Sequence, residues 1–260
     1  MIEDTVAWNA AAWDRRVAQG NIWTQPASPE VMASARAGKW SVVLTPTRPV
    51  PTNWFPPLIG ADVLALASGG GQQGPVLAAA GARVTVFDAS AAQLHQDRTV
   101  AEREGLALNL EQGDMADLSR FPDESFDLVF NPCSTSYAER LQPIWTECHR
   151  VLRPGGRLMT GFNNPATYIF DPFREETGDL QVRFPLPYSD RESLDPEMLR
   201  RLIVDRGDAL EWGHTWGEYI GGIIEAGFRV MGFYEDTNPG DPLSAYMPTQ
   251  FAVLAERPRN

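Results

Sequence analysis

Residues 63–74 read VLALASGGGQQG, and a second apolar run, VTVFD, closes at Asp88. Together they describe a buried strand, a glycine-rich turn that opens a helix, and a second strand with an acid at its carboxyl end. Gly69, Gly71 and Gly74 lack a Cβ, so the backbone there can bend sharply and approach a ligand closely. The turn's amides are expected to hold an anion. Asp88 lies about 20 residues beyond the first of these glycines, the distance at which an acid accepts hydrogen bonds from a ribose. The unit therefore predicts a cofactor that contains a nucleoside.

Gly69, Gly71 and Gly74 also satisfy the dinucleotide spacing G-x-G-x-x-G, so the turn alone leaves a nicotinamide nucleotide open. Further along come QGDMADL (112–118), the strand SFDLVFN (125–131) and a helix running into HRVLRPGGRLMTGF (149–162). With these segments in this order the chain resembles the class I S-adenosylmethionine-dependent methyltransferases, in particular the small-molecule group similar to ubiquinone-biosynthesis C-methyltransferases. The resemblance covers residues 60–162. It extends more weakly to EAGFRVMGFYE (225–235) and PTQFAVLAER (248–257), which look like the last helix and the closing antiparallel strand pair of that fold.

The resemblance implies S-adenosylmethionine as cofactor and S-adenosylhomocysteine as product. By position, Gly69, Gly70, Gly71 and Gln73 would face the methionine moiety, and Asp88 with Ala89 the ribose. Asp114 and the Met115 backbone would meet the adenine edge, and Asn131 would end the fourth strand beside the sulfonium. Two positions depart from the family's pattern. Ala65 stands where members often carry an acid and Ala67 where they carry glycine, so Gln72 and Gln73 are candidates to replace those contacts.

Lys and Arg number 22 and Asp and Glu 34, a formal charge of −12 that disfavours nucleic acid as a partner. The chain's single lysine, Lys39, sits beside Gly38 at a predicted helix end, which argues against Schiff-base chemistry. Two cysteines, Cys133 and Cys148, and three dispersed histidines form neither a metal-ligand cluster nor a disulfide framework. No apolar run approaches the ~20 residues of a membrane span, and the acidic start MIEDTVAW leads into no signal core. The expectation is a soluble, cytoplasmic protein with no membrane partner.

Residues 61–162 alternate strands and helices. The expected fold is α/β, a Rossmann-like seven-stranded, mostly parallel sheet with helices on both faces, an antiparallel last strand and a helical, aromatic cap. Four segments follow: 1–57 as an N-terminal helical lid, 58–162 as the cofactor-binding core, 163–214 as a substrate-cap insertion, and 215–260 as the rest of the core. Within the first, Val6, Ala10, Trp13 and Val17 fall at helical spacing, and Ser28-Pro29 starts a second helix that Gly38 ends. TPTRPVPTNWFPP (45–57) reads as an extended connector over the surface. Ser90 and Gln93 form a capping box after the second strand, and Thr215 and Glu218 another.

The aromatic, proline-rich insertion would sit over the carboxyl ends of the strands, where ligands of open α/β sheets bind. Trp13, Trp23, Tyr168, Tyr188 and His214 are the candidate substrate-binding residues. His214 and Tyr188 are also the candidate bases for an oxygen or nitrogen acceptor, although a lone histidine is more often structural. Cys133 reads as a small packing residue. The substrate class is a small, partly apolar or aromatic molecule, methylated on O, N or C. Two rivals stand beside this reading: a NAD(P)-dependent oxidoreductase using the glycine loop, and a sulfonium-binding protein of the same fold without methyl transfer.

Overall fold

A computed structural model describes residues 2–259. Strands β1 (Asp62–Leu66), β2 (Arg83–Asp88), β3 (Leu108–Gln112), β4 (Phe126–Asn131) and β5 (Leu152–Asn163) are parallel; after an insertion carrying β6 (Tyr188–Ser189) and β7 (Trp212–Gly213) come β8 (Arg229–Asp236) and β9 (Gln250–Glu256). The main sheet runs β3-β2-β1-β4-β5-β9-β8, with β9 antiparallel to both neighbours. The seven-stranded Rossmann-like sheet expected from the sequence is present. Its strand order reverses between β1 and β4, which opens a crevice at their carboxyl ends.

Alternation along the strands divides two cores. Val63, Ala65, Val84, Val86, Leu128 and Phe130 face one layer; Leu64, Leu66, Phe87, Val129, Leu158 and Phe162 face the other. Helices α3 (Gln73–Ala79) and α4 (Ala91–Glu104) cover the first, and α5 (Gln142–Val151) with the turn Gly222–Glu225 covers the second. Helices α1 (Thr5–Ala18), capped by Asp4, and α2 (Pro29–Arg36), capped by Ser28, precede the sheet.

The proline-rich connector runs over the surface only in part: Thr47, Arg48, Pro49, Thr52 and Asn53 are exposed. Val50, Trp54 and Phe55 are buried in the first core, because proline forbids a helix without forbidding burial. The insertion builds a small core of its own from Phe184, Tyr188, Leu194, Met198, Ile203, Leu210 and Trp212. No helix among the described residues is long and apolar enough to cross a membrane.

Candidate active site

A cavity of about 1040 Å³ opens at the carboxyl edge of the sheet. On one side it is walled by Ser68, Gly69, Ala89, Asp114 and Met115 from the turns after β1, β2 and β3, with Asp88 at the end of β2 and Gln93 in the first turn of α4. On the other it is walled by α1, by the turn after β4 and by Asn163, Tyr168, Asp208 and Glu211 of the insertion. Trp13, Trp23, Gln72 and Gln73 complete the set of sequence-predicted residues that line it.

The glycine turn owes its shape to two buried acid side chains beneath it, Asp88 and Asp97. Gly69 N donates to Asp88 Oδ2 at 2.9 Å, and Gly70 N donates to Asp97 Oδ2 at 3.0 Å. These two amides are committed inside the protein, so the expectation that they hold an anion is corrected. Gly70 and Gly71 adopt φ of +112° and +75°, and an added Cβ would meet Trp23 O at 2.9 Å and Gln96 O at 2.9 Å respectively. The turn is therefore clamped between α4 and the N-terminal segment, and neither residue is part of the cavity wall. Gln72 is similarly engaged, its Nε2 donating to Ile22 O and Gln25 O, while Gln73 Oε1 accepts from Val43 N.

Asp88 accepts from Ser90 N through its other oxygen at 2.9 Å, and burial raises its carboxyl pKa against the lowering effect of these amides. Ser90 Oγ caps α4 by accepting from Gln93 N, but the return bond expected of Gln93 is replaced by Asp88. Asp14 of α1 adds a second cap, accepting from Ser90 Oγ and Ala92 N. It ties the N-terminal helix to the cofactor side of the cavity. Ser68 Oγ and Gln93 Oε1 are buried without a hydrogen-bond partner, and both residues line the cavity. Buried polar atoms left open at a cavity wall are sites for a polar ligand to satisfy.

Besides Gly70 and Gly71, three further predicted residues lie behind the wall. Asn131 is fully buried: its Nδ2 donates to Leu66 O and Ser134 Oγ, and its Oδ1 accepts from Thr160 Oγ1. It braces the crevice between β1 and β4, and Pro132, Cys133 and Ser134 form the surface in front of it. His214 is 2 % exposed, with Nε2 donating to Ala138 O at 2.9 Å, and burial lowers its pKa. Its Nδ1 lies 3.7 Å from Glu218 Oε1, so both ring nitrogens face protein groups. Tyr188 donates to Asp190 Oδ1 inside the insertion's core and stacks on Tyr168 at 5.6 Å. Neither His214 nor Tyr188 lines the cavity. Glu218 caps its helix through Thr215 as expected, and Cys133 Sγ donates to Gln250 Oε1 at 3.0 Å.

The structure puts other groups at the insertion's end of the cavity. Arg16 lies 4.6 Å from the Trp13 ring and bonds Tyr137 Oη. Tyr168 donates to Glu211 Oε2 at 2.8 Å and accepts from Asn163 Nδ2 at 2.7 Å. Sequence reasoning passed over Arg16, Tyr137 and Glu211, since each lies in a segment without a motif. Among the described residues no group of three or more His, Cys, Asp or Glu side chains is arranged to hold a metal.

A family model described as a methyltransferase domain matches residues 64–160. An uncharacterized methyltransferase of Bacillus subtilis (strain 168), YbaJ, is 48 % identical over 248 residues, covering 95 % of this chain and 96 % of that protein. Sterol 24-C-methyltransferase ERG6B of Gibberella zeae is 37 % identical over 175 residues, which are 66 % of this chain but 40 % of that longer protein. Among solved structures, an S-adenosylmethionine dependent methyltransferase from Mesorhizobium loti superposes with a TM-score of 0.59 at 19 % identity, over 79 % of this chain and 94 % of that one.

Proposed function

The chain belongs to the class I S-adenosylmethionine-dependent methyltransferases, and we propose that it transfers a methyl group to a small, partly apolar molecule held in the 1040 Å³ cavity. The observation that carries the small-molecule reading is that cavity, walled on one side by the turns after β1 to β3 and on the other by α1 and the insertion. S-adenosylmethionine fits the first side: Asp88 offers carboxylate oxygens, Asp114 and Met115 a polar edge beside an apolar face, and Ser68 and Gln93 unpartnered polar atoms. When bound, it supplies an already activated methyl group. The protein's part is to align the acceptor and exclude water. Arg16, Trp13, Tyr137, Tyr168 and Glu211 surround the acceptor's side of the cavity.

The test is calorimetric titration with S-adenosylhomocysteine and, separately, with NADH and NADPH. The demethylated product binds, the nicotinamides do not, and Asp88→Ala weakens binding by about 1.5 to 3 kcal/mol, the range for a hydrogen bond to a charged group. Binding of a nicotinamide without the homocysteine product would sink the reading.

A further inference from the structure

Glu211 lies at the insertion's end of the cavity wall, bonded to the Tyr168 hydroxyl. Asp88 accepts from Gly69 N and Ser90 N, Asp114 from Ala116 N and Asp241 from Leu243 N, Asp208 pairs with Arg16 at 3.3 Å, and Glu139 has neither a side-chain hydrogen bond nor an ion pair among the described residues. Glu211 is held only through Oε2, by the Tyr168 hydroxyl; Oε1 has no hydrogen-bond partner and no cation pairs with the carboxylate among the described residues. Arg16 is near enough to lower its pKa but bonds Tyr137 Oη and Asp208 instead.

The carboxylate is nevertheless fixed in place. Its own backbone N donates to Asp190 Oδ2 at 2.7 Å, and Asn163 holds the Tyr168 hydroxyl so that its proton points to Glu211. Tyr168 in turn sits where only a glycine leaves room, since a Cβ on Gly213 would meet its ring carbons at 2.6 Å. Burial, and Asp208 nearby, push the Glu211 pKa up, while Tyr168 and Arg16 push it down.

A partly buried carboxylate without an ion-pair partner gains from a ligand that brings a cation. Six carboxylates line the cavity (Asp88, Asp114, Glu139, Asp208, Glu211, Asp241) against two guanidinium groups (Arg16, Arg140), so an anionic acceptor meets like charge. We infer that the acceptor is a small organic amine whose ammonium group seats on Glu211 Oε1, between the aromatic walls of Trp13, Tyr137 and Tyr168. This deepens the methyltransferase reading and rests on it. Glu211 is thus a substrate-selecting residue, and the chain's net charge of −12 draws such a cation in.

The experiment titrates the protein, saturated with S-adenosylhomocysteine at pH 8, with phenethylamine, with the neutral 2-phenylethanol and with the anionic phenylacetate. Wild type binds the amine about ten- to a hundredfold more tightly than the alcohol, the range for one charged hydrogen bond, and phenylacetate least. Glu211→Gln keeps an oxygen for Tyr168 and its melting temperature, and abolishes the preference; Glu211→Asp retains part of it. Affinity for S-adenosylhomocysteine is the same in all three proteins. Equal binding of amine and alcohol, no detectable binding of the amine, or a preference that survives Glu211→Gln overturns the inference. So does a loss of S-adenosylhomocysteine affinity in Glu211→Gln, which would make Glu211 part of the cofactor site. Failure of wild type to bind S-adenosylhomocysteine at all would instead remove the methyltransferase reading.

Discussion

Beneath the glycine turn, Asp97 is fully buried in α4, with one carboxylate oxygen on Gly70 N and the other unpartnered. Burial pushes its pKa from 3.8 up to about 8, against the lowering effect of the turn's amides. Between about pH 4 and pH 8 the folded protein therefore holds a proton that the unfolded chain has released, and stability falls as pH rises through that window. Asp97→Asn has no proton to lose. Its melting temperature should gain on wild type as the pH is raised from about 5 to about 9, by thermal melts at matched ionic strength. A difference that stays constant with pH would contradict this. Asp88 was legible in the sequence because it ends a strand at a fixed distance from the glycines. Asp97 was not, since a polar residue in a 14-residue helix reads as its solvated face, and only the fold brings it under Gly70.

At the scale of elements, β5 shows how a single glycine positions one wall of the cavity. Cys133 N donates to Leu44 O at 3.1 Å, and that carbonyl also passes so close to Gly161 that a Cβ there would overlap it. Gly161→Ala must push the segment around Leu44 outward. Overpacking of this kind costs about 1 to 3 kcal/mol, so a correspondingly lower denaturation midpoint is expected. An unchanged midpoint would show that the segment yields freely. The strands themselves were legible from their apolar runs, α1 from its helical spacing, and α2 and α4 from their caps. The buried part of the 45–57 connector, Val50, Trp54 and Phe55, was missed because prolines mask periodicity, although a glycine inside an apolar strand already signals a close backbone approach.

Across the whole molecule, the core and its covering segments differ in how far they could be read. The core repeats a strand and helix rhythm, so its sheet follows from local pattern alone. The insertion's end of the cavity is assembled by contacts some two hundred residues apart: Trp8 Nε1 donates to Asp208 O at 2.8 Å, and Asn9 Oδ1 accepts from Leu210 N at 2.8 Å. No local signal marks Glu211 or Arg16 as neighbours, whereas the histidine that did attract notice, His214, does not line the cavity and is held by the carbonyl of Ala138 in its wall. The division of the cavity into a cofactor side and an acceptor side is the account's central claim. A crystal structure of the protein with S-adenosylhomocysteine tests it most directly. The account predicts the adenosine against Asp88, Ala89, Asp114 and Met115, the sulfur directed toward the turn after β4, and the space beside Glu211 left open. Density for the ligand's amino acid on Glu211, or a ligand seated outside this cavity, would contradict it.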